Sequence, residues 1–366
     1  METIEVQALP LQCASCGSFM VHKIKTHSLE CINCKSTKAI DTKLHISNKK
    51  ELHSAQEPTI NPLKKRVDCP GCGADNIFED FEIARRCTYC KSPLVTKTTN
   101  ALSIDAIIPF FIDKEEAKSI FKKWLGSLWF APNSLSDLKH FEHNFSPLYI
   151  PYFSFDAKTF SFYKGERGDA YYVRVQRRAI INGEERIVEQ MERRIRWSYV
   201  QGSVQREFRD ILVDAQESIP KLIAQMNRYD LNRLVEYNPS FFSGYKSLEY
   251  NQEVSQSYKR AQKYMSHIIY EDVLWDIGGD EQRVHSISTN YSDEKFELLS
   301  LPIWLSSFQY GNKEYNIIIN GVSGEIIGER PYSYVKIALL VFFILSVLAL
   351  LFYLDKQFNF LEQSIY

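Results

Sequence analysis

All eight cysteines of the chain fall into two copies of one spacing. A Cys-x2-Cys pair forms a tight turn that points two sulfurs at one ion, and fourteen intervening residues suffice for a hairpin that brings a second pair to its other side. The pattern predicts two Zn²⁺ sites. Both are expected to be structural, because a closed shell of four thiolates leaves no open position for water or substrate. The predicted ligands are Cys13, Cys16, Cys31 and Cys34 in the first site, and Cys69, Cys72, Cys87 and Cys90 in the second.

The residues that flank the cysteines repeat as well. Glycine follows the first pair of each copy, at Gly17 and Gly73, where the chain must turn sharply beneath a metal. A Lys-Ser dipeptide follows each second pair, so the copies indicate a duplicated zinc ribbon. The alternative is four disulfides in a secreted protein. Against it, the chain opens METIEVQALP with no apolar signal segment, and a reducing compartment favours thiolate–metal sites.

A long apolar segment lies near the other end of the chain. Residues 337–354 form a run of eighteen residues without a charge, long enough for about 27 Å of helix. The run predicts a membrane-spanning helix and not a buried core helix, because a core helix of this length nearly always carries a polar stripe. Twelve residues follow it. We therefore expect a tail anchor with one pass through the cell membrane, and the preceding domains in the cytoplasm, where cysteines stay reduced.

The composition indicates a folded body between these two ends. The chain has 366 residues, of which 45% are hydrophobic and 13% aromatic, enough for a packed core. Its formal net charge is −1. Residues 1–100 carry 14 lysines and arginines against 11 acids, a formal charge of +3 when the cysteines count as neutral. A filled four-thiolate zinc site has a net charge of about −2, so two filled sites change this total to about −1. Such a balance predicts no strong non-specific attraction to nucleic acid.

Changes in composition divide the chain into seven segments. Polar stretches separate the two cysteine-rich segments from each other and from the body. The segment between the ribbons has only a weak apolar pattern at Leu44 and Ile46, which predicts a linker with one short strand at most. The predicted segments are zinc ribbon 1 (1–40), the linker (41–66), zinc ribbon 2 (67–96), two α+β subdomains (97–235 and 236–333), a transmembrane helix (334–354) and a short tail (355–366).

Periodicity predicts an α+β body with antiparallel sheets. Residues 113–125 predict a helix with Asp113 as its N-cap and Glu116 three residues further on. A second helix is predicted at residues 251–275. Alternating and aromatic runs predict strands, with a hairpin turn at Asn182-Gly183. The predicted strands are 104–112, 148–163, 171–181, 187–200, 204–213, 283–287, 296–310, 314–319 and 325–328.

The two halves of the body share a short similarity. Leu-Tyr-Ile-Pro at residues 148–151 resembles Leu-Ser-Leu-Pro at residues 299–302, each at the start of a long aromatic strand after a helix. The sequence leaves open whether this is a duplicated α+β unit or chance, because aromatic strands with a leading proline are common at sheet edges.

Several longer segments carry a resemblance to a known family. They are CPGCG (69–73), IPFFIDKEEAKSIFKKWLGSLWFAP (108–132), YIPYFSFDAKTFSFYKGERG (149–168), RRIRWSYVQGSV (193–204), FFSGY (241–245), DIGGDEQRV (276–284), LPIWLSSFQYGNKEYNIIINGVSGEIIGERPYS (301–333) and the terminal apolar run. Together they resemble bacterial zinc-ribbon membrane proteins, often labelled primosomal protein N-prime (replication factor Y), superfamily II helicase, or zinc-ribbon protein of the transcription factor IIB type. The resemblance covers nearly the whole chain from about residue 66. It implies zinc binding and a membrane location, and no demonstrated reaction.

The helicase label conflicts with the sequence. A superfamily II motor needs a phosphate-cradling loop with a lysine and an acidic pair for magnesium, and the sequence contains no G-x4-G-K-[ST] motif. Residues 278–281, Gly-Gly-Asp-Glu, are similar to a hairpin of nucleotide cyclases, but a plain Gly-Gly turn explains them better. His140 and His143 lack a third ligand nearby in sequence, and His22 and His27 lie in a ribbon whose four thiolates already complete a site. We therefore expect no enzymatic activity and no small-molecule substrate.

The strands between residues 171 and 200 are rich in arginine. They suggest an RNA-binding sheet with Tyr171, Tyr172 and Trp197 as stacking platforms, but interleaved glutamates explain them better as cross-strand ion pairs. The sequence favours a tail-anchored adaptor or scaffold that binds another membrane-associated or cytoplasmic protein. The alternative is a membrane-tethered nucleic-acid-binding or replication accessory protein. The arginines are at 174, 177, 178, 186, 193, 194 and 196, and the glutamates at 184, 185, 189 and 192.

Overall fold

The computed structural model describes residues 3–52, 64–98, 100–132, 135, 145–181, 184–217, 221–226 and 228–358. Its strands pair mostly antiparallel, and together with the helices they form a mixed α+β fold, as predicted. Within the described residues the strands are β1 (Thr3–Glu5), β2 (Met20–Lys23), β3 (Ser28–Cys31), β4 (Thr37–Ala39), β5 (Lys50–Glu51), β6 (Lys64–Asp68), β7 (Asp75–Phe78), β8 (Glu82–Arg86), β9 (Pro93–Val95), β10 (Ala106–Ile107), β11 (Ser146–Ile181), β12 (Glu184–Asp214), β13 (Val235–Glu236), β14 (Lys246–Leu248), β15 (Glu281–Tyr310), β16 (Lys313–Asn320) and β17 (Ile326–Gly328). The α-helices are α1 (Lys114–Ser127), α2 (Val254–Ile277) and α3 (Tyr334–Phe358).

Two very long strands, β11 and β15, form the centre of the body. They pair antiparallel from Ser146 opposite Leu305 to Gly168 opposite Glu281. On the other edge of β11 lie β14 and then β12, while β5, β10 and β16 pair with successive parts of β15. The central pair therefore joins the predicted segments 97–235 and 236–333 in one sheet.

Glycines inside the long strands explain why the sequence suggested shorter ones. Separate strands were predicted at 148–163 and 171–181, yet β11 is one strand of 36 residues. A Cβ at Gly165 would lie 2.4 Å from the carbonyl oxygen of Arg283, and one at Gly168 would lie 2.7 Å from Ile195 Cγ2. These glycines allow neighbouring strands to approach closely and do not end the strand. The predictions for β12 and β15 were too short in the same way.

Both predicted body helices are present. α1 begins after Asp113, whose carboxylate accepts from the N–H of Glu116, while the Glu116 carboxylate accepts from the N–H of Asp113. This is the predicted capping box. α2 buries one face against the long strands, and each large aliphatic side chain on that face contributes about 2 kcal/mol by leaving water. The apolar residues on that face are Val254, Tyr258, Ala261, Met265, Ile269, Val273 and Ile277.

The two proline-containing segments pair with each other at the centre of the sheet. Sequence statistics associate such prolines with sheet edges, because proline has no N–H to donate to a neighbouring strand. Here each proline carbonyl accepts from a loop outside the pair. The N–H of Ala215 donates to Pro151 (3.0 Å), and the N–H of Gly321 donates to Pro302 (2.9 Å).

The predicted linker contacts the body through its backbone. Leu44 forms a bridge with Val235, and β5 pairs with β15. The side chains of Leu44 and Ile46 are 71% and 86% exposed, so burial of these apolar residues does not fix the segment. The short strand lies further along, at Lys50–Glu51.

Lys49 places a buried charge where the long strands change register. β11 has register shifts near Asp156 against both neighbouring strands. The Lys49 ammonium donates to Asp156 (2.5 Å) and Asp210 (2.6 Å), and it lies 3.9 Å from the buried carboxylate of Glu297. His45 Nε2 is 2.9 Å from the other oxygen of Glu297. The linker therefore supplies the positive partner of a carboxylate cluster on the sheet.

Replacing Lys49 by methionine should lower the free energy of unfolding by about 2 kcal/mol, because the partly exposed carboxylates of Asp156 and Asp210 and the buried carboxylate of Glu297 lose a positive partner. The matched control is Lys50→Met, which breaks an ion pair with Asp105. The side chain of Lys50 is 41% exposed, so this pair lies at the surface. That change should cost under about 1 kcal/mol. Urea unfolding of the detergent-solubilised chain measures both. Equal losses in the two variants would contradict the role given to Lys49.

The apolar run forms α3. Residues Tyr334–Leu354 are long and apolar enough to cross a membrane, and none of this span is buried against the rest of the protein. An unpaired apolar helix of this kind is expected to be covered by lipid.

Candidate metal centres

The eight cysteines converge into two quartets. In each quartet the four Sγ atoms lie within 4.8 Å of one another. Four sulfurs at about 2.3 Å from one Zn²⁺ would be about 3.8 Å apart, so the observed spacing fits a tetrahedral ion. Disulfide sulfurs lie at about 2 Å, and all eight cysteines are free. Sulfur pairs in this range include Cys13–Cys34 (3.6 Å), Cys16–Cys31 (3.4 Å), Cys69–Cys90 (3.6 Å) and Cys72–Cys87 (3.9 Å).

Each quartet is built from two Cys-x2-Cys turns, and the residue that follows the second cysteine of each pair has a left-handed backbone conformation. In the first turns, Gly17 and Gly73 have φ of 71° and 70°, and their N–H groups donate to the carbonyl of the first cysteine. This conformation explains the repeated glycine. In the second turns, Lys35 and Lys91 take φ of 62° and 63° without being glycine. Their amino groups donate back to carbonyl oxygens within the same turn.

The repeated serines contact the sulfurs. Ser36 Oγ lies 3.0 Å from Cys13 Sγ and 3.1 Å from Cys34 Sγ, and Ser92 Oγ lies 3.2 Å from Cys90 Sγ. The sequence revealed the Lys-Ser repeat but not this contact. Hydroxyl groups that donate to a ligating atom orient it and stabilise its charge.

These contacts favour the thiolate form of three cysteines. The hydroxyl of Ser36, followed by the N–H of Ser15, lowers the pKa of Cys13 to about 6. The hydroxyl of Ser36 lowers the pKa of Cys34, and that of Ser92 lowers the pKa of Cys90. The thiolate is the form that binds metal. Each quartet therefore contains a serine hydroxyl that supports the thiolate form of a ligand, whereas hydrogen bonds between the sulfurs and burial raise the pKa of Cys16, Cys69 and Cys72.

Each centre has a buried and an exposed side. The second turn also exposes an apolar side chain between two cysteines, namely Ile32 (45% exposed) and Tyr89 (71% exposed). Sequence reasoning did not single out either residue, because an apolar residue beside a buried cysteine is expected to be core. The buried cysteines are Cys13, Cys31, Cys69 and Cys87, and the exposed ones are Cys16, Cys34, Cys72 and Cys90.

The two cysteine-rich segments pack against each other. The ring of Phe19, which is 7% exposed, lies against Gly71, where a Cβ would be 2.5 Å from Phe19 Cε2. β1 pairs with β6 before the chain enters the first quartet, and the N–H of Leu9 donates to the carbonyl of Val95 (2.7 Å). The segments thus form one packed unit and not two modules on a free linker.

Residues 241–245, the FFSGY segment, hold both cysteine-rich segments against the body. In the first cysteine-rich segment, the N–H of His22 donates to the carbonyl of Ser243 (3.0 Å). In the second, Arg86 Nε donates to the carbonyl of Gly244 (3.1 Å). This contact could not be predicted from the sequence, since neither side carries a charge pattern or motif that identifies its partner.

His22 lies in this contact and not in a quartet. Its ring is 4% exposed and lies 5.1 Å from Phe241 and 5.7 Å from Tyr245. Burial, then the neighbouring His27, lowers the pKa of His22 to about 3. Because the folded pKa is below the ordinary value of about 6.5, the neutral ring supports folding above about pH 6.5. That contribution is lost as the pH falls from about 6.5 towards 3.

The other sequence candidates have structural explanations or lie outside the described residues. Residues 278–280 form the turn between α2 and β15, where the N–H of Asp280 donates to the carbonyl of Gly168 (2.9 Å), and Glu281 begins β15. The Asp280 carboxylate in turn accepts from the N–H of Ala170 (2.7 Å). His140 and His143 lie outside the described residues, as does the turn at Asn182-Gly183.

The arginine-rich strands contain ion pairs. The ring of Trp197 is covered by the guanidinium of Arg283 at 3.7 Å, so this face does not offer a free stacking platform. Tyr171 and Tyr172 are 43% and 61% exposed. The ion pairs on these strands include Arg177–Glu192 (2.9 Å), Arg194–Glu192 (3.0 Å) and Arg193–Glu281 (2.9 Å).

Comparison with known proteins identifies one similar chain of comparable length. No protein-family model matches, and no solved structure matches. The chain is 25% identical over 344 residues to the uncharacterized protein YdjG of Bacillus subtilis (strain 168), covering 89% of this chain and 91% of that protein. The similarity therefore includes most of the body.

Metal analysis of the purified protein should give two zinc ions per chain, because each quartet is a complete ligand set. Cys72→Ser should leave one ion and unfold the second cysteine-rich segment, since metal-binding energy on the order of 10 kcal/mol is also folding energy in so small a module. Fewer ions in the unaltered protein, together with disulfides by mass mapping, would contradict the assignment.

Ser36→Ala should weaken metal binding at the first quartet by about tenfold, because Cys13 and Cys34 lose a shared hydroxyl donor. Competition with a chromogenic chelator measures this change. Ser15→Ala is the matched control, since Ser15 contacts Cys13 through its backbone N–H. If Ser15→Ala weakens binding as much as Ser36→Ala, the hydroxyl contact has no role.

Proposed function

We propose that this protein is a tail-anchored, single-pass adaptor that holds another protein at the cytoplasmic face of the cell membrane. The observation that carries the proposal is the pair of closed cysteine quartets, packed on each other and on the body. Zn²⁺ is the proposed ion, because it accepts four thiolates in tetrahedral geometry. Each ion would be held by the four cysteines of its quartet.

The proposed ions act on structure and not on a substrate. A four-thiolate shell has no open position at which water could be activated, so hydrolytic chemistry at these ions is not expected. The ions would instead fix the turns that carry Ile32 and Tyr89. An exposed apolar side chain on a rigid turn loses little conformational entropy when a partner covers it. We therefore assign these two residues to the partner-binding surface.

The membrane side of the proposal rests on α3. Its apolar span is unpaired within the described chain, as a lipid-covered helix would be. Reduced thiolates require a reducing compartment, which favours the cytoplasm for the cysteine-rich segments. The resemblance to bacterial zinc-ribbon membrane proteins supports both assignments. The helicase label attached to that family does not extend to this chain, whose sequence lacks a phosphate-binding loop.

The double change Ile32→Ser and Tyr89→Ser should abolish recovery of specific partner proteins from detergent-solubilised membranes while leaving metal content and membrane insertion unchanged. The reason is that apolar side chains near the centre of an interface supply most of its binding energy. Quantitative mass spectrometry of affinity-purified full-length protein measures the loss. Ile77→Ser is the matched control, because Ile77 is 56% exposed on β7, outside the metal-binding turns.

A nucleic-acid role would give a different result. Tyr171 and Tyr172 on the arginine-rich strands are the observation that favours it. In that case the protein would bind DNA or RNA with sub-micromolar affinity that weakens steeply with salt, and the double change would leave this binding intact. The adaptor proposal predicts weak binding at physiological salt and no ATP hydrolysis above background.

A further inference from the structure

The first turn of α3 is fixed to the loop that follows α1. We call residues 128–131 of that loop the interfacial loop. The Lys336 ammonium donates to the carbonyl oxygens of Trp129 (3.3 Å) and Ala131 (2.7 Å). The N–H of Ser333 donates to the carbonyl of Phe130 (2.7 Å). The interfacial loop and the base of the apolar span therefore lie side by side.

α1 holds this loop in place from the other side. Its Trp124 side chain packs on Gly328 at the end of β17, where a Cβ would be 2.9 Å from the ring. Ile120, one turn earlier, packs on Gly324 in the turn before β17. Both glycines belong to the hairpin that leads into α3. Since α1 and this hairpin are packed together, the interfacial loop cannot move far from the span.

The position of Trp129 matches the boundary between lipid and water. Lys336 is the last charged residue before the uncharged run, so it marks the headgroup level of a span that begins just after it. Trp129 lies at the same level, with its side chain 76% exposed and its ring 5.5 Å from that of Phe130. Tryptophan is enriched at this depth, because its ring is apolar and its N–H is polar.

The surface around the loop is basic. Lys122 and Lys123 are exposed on α1, and residues 117–132 contain no acid. Lys336 contacts the loop, and Arg330 lies six residues before Lys336 in the sequence, next to the acid Glu329. Lysine and arginine side chains close to an anionic leaflet are attracted to it. This charge is complementary to an anionic membrane surface.

We infer that the interfacial loop is a second membrane contact, in which Trp129 enters the headgroup layer of an anionic bilayer beside the span. This inference rests on the membrane anchoring proposed above. A span alone leaves the body free to tilt and rotate about its base. Two contacts joined by Lys336 fix the orientation of the body, and so the direction in which the cysteine-rich segments point from the membrane.

The test is tryptophan quenching in the full-length protein, reconstituted into phosphatidylcholine–phosphatidylglycerol vesicles with brominated upper acyl chains. Trp129→Phe should remove roughly half or more of the quenchable emission, since an interfacial tryptophan lies closest to the bromines. Trp275→Phe is the matched control. Trp275 is 86% exposed in the last turn of α2, whose Ile277 contacts Gly165, about 60 Å along β11 from Ser146. Because Trp275 lies far from the bromines, removing its unquenched emission should raise the fraction of the remaining emission that is quenched.

Flotation of the same vesicles separates this inference from the anchor. If the protein floats and Trp129→Phe leaves the quenched fraction unchanged, the loop contact is wrong and the anchor stands. If the protein does not float, both fail. Equal quenching in vesicles of phosphatidylcholine alone would overturn the requirement for anionic lipid.

Discussion

Four thiolates can be held within a few ångströms of one another only if a cation lies among them. Two like charges about 4 Å apart near a protein surface repel by about 4 kcal/mol, and a quartet contains six such pairs. The cysteine-rich segments are too small to offset this with a core of their own. The proposed cation would hold the turns on which the packing of Phe19 against Gly71 and the contact with residues 241–245 are built.

The long sheet of the body connects the cysteine-rich segments to the apolar span. β11 and β15 give a continuous ladder from the end near the span to the far end of α2. Lys49 binds the chain between the two quartets to this ladder, and Trp124 of α1 packs on Gly328 of the hairpin that leads into α3. The proposed binding surface, the sheet and the membrane span are therefore mechanically connected. A partner bound to the metal-organised turns would be held at a defined position relative to the bilayer.

The features that could be predicted from the sequence are those encoded within a few residues. The cysteine spacing, the capping box at Asp113 and the apolar span are local patterns, and the structure contains all three. The features that could not be predicted depend on distant partners. Gly165 resembles a strand end until Arg283 is seen against it, and Lys49 resembles a solvated linker residue until the carboxylates around it are known.

The metal-organised turns are proposed to bind a protein at the membrane. Photo-crosslinking in cells tests this binding most directly, with a benzophenone amino acid replacing the exposed Tyr89 and, as a control, the exposed Phe162 on β11. The account predicts a discrete protein adduct in the membrane fraction at position 89 that is absent at position 162 and lost with Cys72→Ser. Nucleic acid crosslinked at position 89, or an unchanged protein adduct after Cys72→Ser, would contradict it.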